Sequence, residues 1–226
     1  LLSKTKTRRN LLIVTQRKKY VLKYYNKSDL FSPLNAEKDN LIYLKNKKLN
    51  FFPDIVNFDS KYLLLEYIYH DKVKPNVYKK NLLDILTKLH SFKSDKYGFN
   101  FDTQIGSVRQ QNNLNESWVY FFLNQRFIKM FELINMSDPM PKDINRGIEN
   151  VCKRLHNLIP DNPIPTLLHG DLWEGNILYK NGQVVGLIDP GSVYGHNEME
   201  IAYLRFFEKE FYNDKFLAQY QEVNHI

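Results

Sequence analysis

The chain of 226 residues has one cysteine, Cys152. That excludes an intramolecular disulfide framework and any zinc site built from several thiolates. No apolar run approaches the roughly 20 residues needed to cross a bilayer. The opening Leu-Leu-Ser-Lys-Thr-Lys lacks the apolar core of a signal peptide. The expectation is a soluble cytoplasmic protein with no membrane partner. There is no acidic excess either: the formal charge is +7. Its lysines are scattered, and the Lys-Lys pairs at 18–19, 47–48 and 79–80 fall in different predicted elements. A dispersed basic surface tolerates anionic ligands without forming a nucleic-acid stripe, so no nucleic-acid partner is expected.

With 43% apolar and 14% aromatic residues, the chain is far too hydrophobic for disorder. Asn10–Thr15 and Tyr20–Tyr25 read as two strands of a hairpin, although no Asn-Gly marks the turn. Period two puts Lys23 on the same face as Val21. Taken alone, such a lysine fits an exposed edge strand. Asn35–Lys48 reads as a helix with Asn35 as N-cap. Glu37 in its first turn has a simple explanation in the positive end of the helix dipole. Ile55–Phe58 and Tyr62–Tyr67 are further strands, and Glu66 lies where the sheet runs out into a linker. Helices are expected over Asn81–Ser91, Asn115–Ile134, Lys142–Leu158, Asn197–Phe207 and Asp214–Val223. His90, at a helix end, reads as structural. Residues 92–114 read as a long loop, and the all-round apolar Asn115–Ile134 as the buried centre of a lobe. The fold class is therefore α+β and two-lobed. A small, mainly antiparallel β lobe with one helix spans 1–67, a hinge 68–77, and a larger, mainly helical lobe 78–226.

The densest chemistry lies in Leu167–Gly195. Asp171 in His-Gly-Asp is followed by Asn176, and Asp189 ends a second apolar run. Asn181-Gly182 predicts a tight hairpin that would let the three converge. The Asp-x4-Asn spacing is that of a kinase catalytic loop, with a later aspartate for magnesium. In that reading Asp171 is the base for the attacking hydroxyl, while Asn176 and Asp189 offer hard oxygen ligands to Mg2+. Lys23 would reach the phosphates of ATP and Glu37 would hold the lysine. Glu66 marks where a hinge offers backbone groups to adenine. Trp173 either packs the loop or walls a substrate pocket, and His169 fixes loop geometry rather than acting as base.

His-Gly-Asp-Leu-Trp-Glu-Gly-Asn (169–176) and Asp189-Pro-Gly-Ser-Val-Tyr-Gly-His196 closely resemble the signatures of the fructosamine kinase (ketosamine-3-kinase) family. That family is related to aminoglycoside phosphotransferases and choline kinases. Tyr97-Gly-Phe, Ile105-Gly-Ser, Trp118, Phe121-Phe122 and Phe211-Tyr212 extend the resemblance over most of the chain. It implies a protein-kinase-like fold and ATP- and Mg2+-dependent phosphorylation of the 3-hydroxyl of ketosamines. The substrates would be small-molecule ketosamines or glycated proteins, and the outcome deglycation and repair. By the same resemblance Asp171 is the base, Asn176 and Asp189 hold metal, Lys23 and Glu37 serve the phosphates, and Trp173 touches substrate. Two departures stand out. Residues 1–18 contain no glycine where the family carries a glycine-containing loop, leaving Ser3, Thr5 and Thr7 as hydroxyl donors. The family also continues beyond Gln221-Glu222-Val223 with further helices, so this chain is expected to be short there. The alternatives are a sibling kinase for aminoglycosides or choline, and a nucleotide-binding scaffold without turnover.

Overall fold

The computed structural model describes residues 3–4, 8–25, 31–72, 81–106 and 108–224. Thr5, Thr7 and residues 73–77 of the expected hinge lie outside them, as do the side chains of residues 3, 4 and 8. The first lobe is a five-stranded antiparallel sheet carrying one helix. Its strands are β1 (Ser3–Lys4), β2 (Arg8–Val14), β3 (Lys19–Tyr25), β4 (Ile55–Phe58) and β5 (Tyr62–Glu66), in the order β1-β2-β3-β5-β4. The β2–β3 turn forms without Asn-Gly because the Thr15 hydroxyl accepts from the N–H of Arg17 and Lys18 and donates to the Lys18 carbonyl.

Strand order corrects one expectation. β3 lies between β2 and β5, with Lys23 opposite Asn10 on one side and Leu63 on the other. Lys23 is thus on an interior strand, and only 4% of its surface is exposed. Helix α1 (Pro33–Asn46) begins two residues earlier than expected. Ser32, not Asn35, is the N-cap, and its side chain accepts from the Asn35 N–H at 3.3 Å, with Pro33 at the first helical position. Glu37 then falls past the first turn on the inner face and is 1% exposed. The dipole explanation does not account for a carboxylate buried so completely; Lys23 does.

The second lobe starts with α2 (Asn81–His90). Part of the expected loop 92–114 is instead a short hairpin of β6 (Thr103–Ile105) and β7 (Val108–Gln110). Around it polar side chains serve as backbone partners. Asn112 donates to the Phe101 carbonyl, and Gln125 brackets both backbone groups of Asn113. Three-residue strands whose polar side chains satisfy backbone groups carry no alternating apolar pattern.

A helical run follows: α3 (Trp118–Phe122), a π-turn over Leu123–Phe127, and α4 (Ile128–Ser137). Its first part is core, with Trp118 and Phe121 packed against Leu168 and Val193. The expectation of burial along its whole length fails. Among the described residues no α4 side chain is buried, and Leu133, Ile134 and Met136 are exposed. α5 (Lys142–Arg154) is likewise unburied and ends in a 3-10 turn.

Strand β8 (Thr166–Leu168) leads into the 169–176 loop, and β9 (Ile177–Lys180) and β10 (Gln183–Leu187) form a hairpin. Asn181 at φ 50° and Gly182 at φ 72° make the predicted two-residue turn. β11 (Val193–Gly195) returns to pair with β8, and α6 (Asn197–Phe207) and α7 (Asp214–Asn224) complete the described chain. One apolar cluster runs through both lobes, from Leu41, Leu44 and Leu63 to Leu86, Leu172 and Leu187. Among the described residues, no helix is long and apolar enough to cross a membrane.

Candidate active site

The 169–176 loop is held by its own histidine. His169 is fully buried; its Nε2 donates to the Ile188 carbonyl at 3.0 Å, and its Nδ1 accepts from the Asp171 N–H at 3.2 Å. One ring nitrogen donating and the other accepting defines a neutral imidazole. Burial pushes the His169 pKa below the usual histidine range, which keeps it so. Phe52 stacks on the ring with centroids 5.8 Å apart. His169 therefore shapes the loop.

Gly170 has φ 83°, and a Cβ there would lie 2.0 Å from the Gly191 carbonyl oxygen, so only glycine fits. Its N–H donates to Glu200 Oε2 at 2.9 Å. Glu200 Oε1 accepts from His90 Nε2 at 2.9 Å, and His90 Nδ1 meets the Tyr220 hydroxyl at 2.7 Å. Burial opposes ionisation of Glu200, but the hydrogen bond and charge of His90, with the Gly170 N–H, hold its carboxyl below the ordinary range. His90 is therefore structural, as expected. Glu200 was not singled out by sequence. Its one signal is a carboxylate three residues after Asn197 and four before buried Leu204 on the inner stripe of α6.

Asp171 projects from this frame with 8% of its surface exposed. Asn176 Nδ2 donates to its Oδ2 at 3.2 Å and to its backbone carbonyl at 2.7 Å. The Tyr203 hydroxyl donates to Oδ1 at 3.3 Å. Burial raises the Asp171 pKa to about 6; the Tyr203 and Asn176 hydrogen bonds oppose the rise, and the charges of Asp189 and Glu200 add to it. Tyr203 also lines an apolar cavity of about 720 Å3 that reaches Gly170 and Leu172, so it stands between Asp171 and that cavity. Nothing in the sequence distinguished Tyr203 from a packing aromatic.

Asp189 leaves β10 with φ 55°, and its side chain is 34% exposed. The next residues are tied to α1: Asn40 Nδ2 donates to the Pro190 carbonyl at 3.1 Å, and the Tyr43 and Tyr194 hydroxyls meet at 2.8 Å. Lys23 Nζ bridges Glu37 Oε1 and Asp189 Oδ1. The structure therefore brings together Lys23, Glu37 and Asp189, and beside them Asp171 and Asn176. Glu66 stays apart. Its N–H donates to the Asp54 carbonyl at 2.9 Å and its exposed carboxylate pairs with Lys18 at 3.0 Å. Trp173 is 39% exposed, and its indole folds over Gly175, where a Cβ would lie 2.4 Å from the ring.

Among the described residues, no group of three or more His, Cys, Asp or Glu side chains is placed to hold a metal ion. The half-buried Asp189 carboxylate and the nearby Asn176 amide oxygen suit Mg2+, which keeps waters and takes oxygens from substrate phosphates.

A sequence model described as fructosamine kinase matches residues 4–226. The probable ketoamine kinase of Pasteurella multocida is 30% identical over 189 residues, covering 80% of this chain and 64% of that relative. The chloroplastic protein-ribulosamine 3-kinase of Oryza sativa subsp. japonica is 37% identical over 137 residues, covering 58% of this chain and 40% of the relative. A Haemophilus somnus 129PT crystal structure assigned as a fructosamine-3-kinase superposes with a TM-score of 0.80 at 25% identity, over 97% of this chain and 73% of that one. An aminoglycoside phosphotransferase in complex with gentamicin, at 18% identity and a TM-score of 0.68 over 99% of this chain and 75% of that one, shares the fold. The chain thus spans 64% of the length of the first of these curated relatives and 40% of the second.

Proposed function

The chain belongs to the fructosamine kinase family, and from that premise we propose that it transfers the γ-phosphoryl group of ATP to the 3-hydroxyl of a ketosamine. The observation that carries this reading is Lys23 bridging Glu37 and Asp189, beside Asp171 and Asn176. Phosphoryl transfer needs little covalent chemistry from a protein; it needs charge neutralisation and a positioned hydroxyl.

In this reading Asp171 accepts the hydroxyl proton as the oxygen attacks phosphorus. Lys23 meets the phosphates, and Glu37 holds its ammonium in place in a buried site. Asn176, whose amide nitrogen is directed at Asp171, presents its oxygen with the Asp189 carboxylate as the magnesium ligands. A magnesium ion held by those two side chains would supply charge neutralisation for the phosphates. The adenine would lie against the hinge after β5. Glu66 and Tyr67 both spend their N–H groups inside the lobe, on the Asp54 and Lys19 carbonyls, so a hinge contact through a backbone N–H would come from the residues after Tyr67. We assign residues 1–67 to the nucleotide lobe, 68–77 to the hinge and 78–226 to the catalytic and substrate lobe. Trp173 walls the substrate side. Substrates are small ketosamines or glycated proteins, whose 3-phosphates break down and release the amine.

The test is Mg2+-dependent ATP turnover across a panel of ribulosamines, fructosamines, choline and aminoglycosides. Turnover of ketosamines alone is expected. Turnover only of choline or an aminoglycoside would move the protein to a sibling activity. ATP binding without turnover of any acceptor would favour a scaffold, a reading to which the glycine-free residues 1–18 lend support.

A further inference from the structure

Beside Asp171 stand three aromatic rings in contact. Tyr203 and Phe207 are four residues apart and share one face of α6. Their centroids are 5.1 Å apart at 82°, and Phe207 meets the Trp173 indole at 5.6 Å and 42°. The Tyr203 hydroxyl reaches Asp171 Oδ1 at 3.3 Å, so the wall begins at the reacting carboxylate. It is also open: Phe207 is 47% and Trp173 39% exposed. Arg205, on the same helix, is tied to Asp214 at 2.7 Å.

We propose that Tyr203 and Phe207, with Trp173, form an aromatic wall that recognises the protonated secondary amine of the substrate. This rests on the ketosamine reading above. In a ketosamine the nitrogen is separated from the 3-oxygen by three carbons, so it lies within about 5 Å of that oxygen by bond lengths alone. A 3-hydroxyl on Asp171 therefore places the ammonium over the neighbouring rings. Aromatic faces attract a cation through their quadrupole, and cages of this kind select alkylated ammonium groups. The Asp171 carboxylate adds to the attraction. The wall thus distinguishes a ketosamine from the parent ketose, which carries the same hydroxyls and no charge. The three side chains divide the work. Phe207 and Trp173 offer ring faces, whereas Tyr203 offers a face and also orients Asp171 through its hydroxyl.

The experiment compares a 1-alkylamino-1-deoxyketose with its 1-O-alkyl counterpart, in which oxygen replaces the amine nitrogen and the charge is gone. Wild type is expected to show a KM about tenfold lower for the amine, with similar kcat. Phe207→Leu is expected to raise the KM for the amine about fivefold and leave that of the ether unchanged. Phe207→Met serves as the second variant, with the same expected split, should Phe207→Leu fail to fold. Tyr203→Phe keeps the ring and so keeps the KM ratio. Equal KM values for amine and ether in wild type, or variants that raise both alike, would overturn the proposal while ketosamine turnover left the kinase reading standing. No turnover of either compound would overturn both.

Discussion

Lys23 of β3 and Asp189 at the exit of β10 form an ion pair although 166 positions separate them in the chain. The same ammonium is held by Glu37 from α1, so one cation ties the sheet, its helix and the second lobe together at the candidate site. Both Lys23 and Glu37 are almost fully buried, and the energetic consequence is asymmetric. Removing Lys23 takes its cation away from a buried carboxylate, whereas removing both members can cost little.

Lys23→Met is therefore expected to destabilise the protein by about 3 kcal/mol or more, because Glu37 keeps its burial and loses its cation. Lys23→Met with Glu37→Leu should recover most of that loss in chemical denaturation and recover none of the ATP turnover. A double variant as unstable as the single one would show that the pair does not act as a unit. Recovery of turnover would remove Lys23 from the phosphate site.

The pH dependence follows from Asp171, which faces Tyr203 and Asn176 as donors and feels the charges of Asp189 and Glu200. A base must be ionised to take a proton, so kcat should fall as pH drops through about 6. The sign for stability is opposite. Because the folded pKa lies above the ordinary aspartate value, the folded state binds the proton more tightly than the unfolded one. Burial of this carboxylate costs stability above about pH 6, and the cost fades as pH falls toward the unfolded value near 4. Asp171→Asn should thus abolish turnover while leaving the thermal midpoint at pH 7 unchanged or raised, a difference of up to about 2 kcal/mol. A midpoint lowered by several degrees would contradict this account of the site.

Glu200 collects the Gly170 N–H and His90 Nε2 on its two oxygens. Glu200→Gln keeps the shape but turns an amide N–H2 toward one of these donors. A loss of about 1–3 kcal/mol is expected, together with a fall in kcat at nearly constant KM for ATP. Hydrogen exchange at the Gly170 amide gives the direct check, since protection there should drop in the variant and persist elsewhere in the lobe.

The parts of this arrangement legible in the sequence were those written in local chemistry. Asn181-Gly182 specifies its turn through two positive φ angles, and that turn alone forecasts that Asp171, Asn176 and Asp189 converge. The burial of Lys23 was not legible, because β3 becomes an interior strand only when β5, some 40 residues later, pairs with it. The start of α1 was misread because Asn35, a good cap by type, stands just inside a Ser32-Pro33 start that is better still. The surface of α4 defied its composition. Apolar residues around a helix predict burial on every side, yet among the described residues no α4 side chain is buried, while Trp118 and Phe121 of α3 are. Tyr203 and Glu200 act through groups more than 25 positions away and leave no mark in local pattern.

The central claim, that the Lys23–Glu37–Asp189 and Asp171–Asn176 groups together make a ketosamine kinase, is tested most directly by one measurement. Phosphate transfer from ATP to a ribulosamine in the presence of Mg2+ should be followed by 31P NMR in wild type and Asp171→Asn. The account predicts a new phosphomonoester on the sugar 3-oxygen with wild type and none with the variant. A phosphomonoester formed equally by both proteins, or none formed by either despite bound ATP, would contradict it.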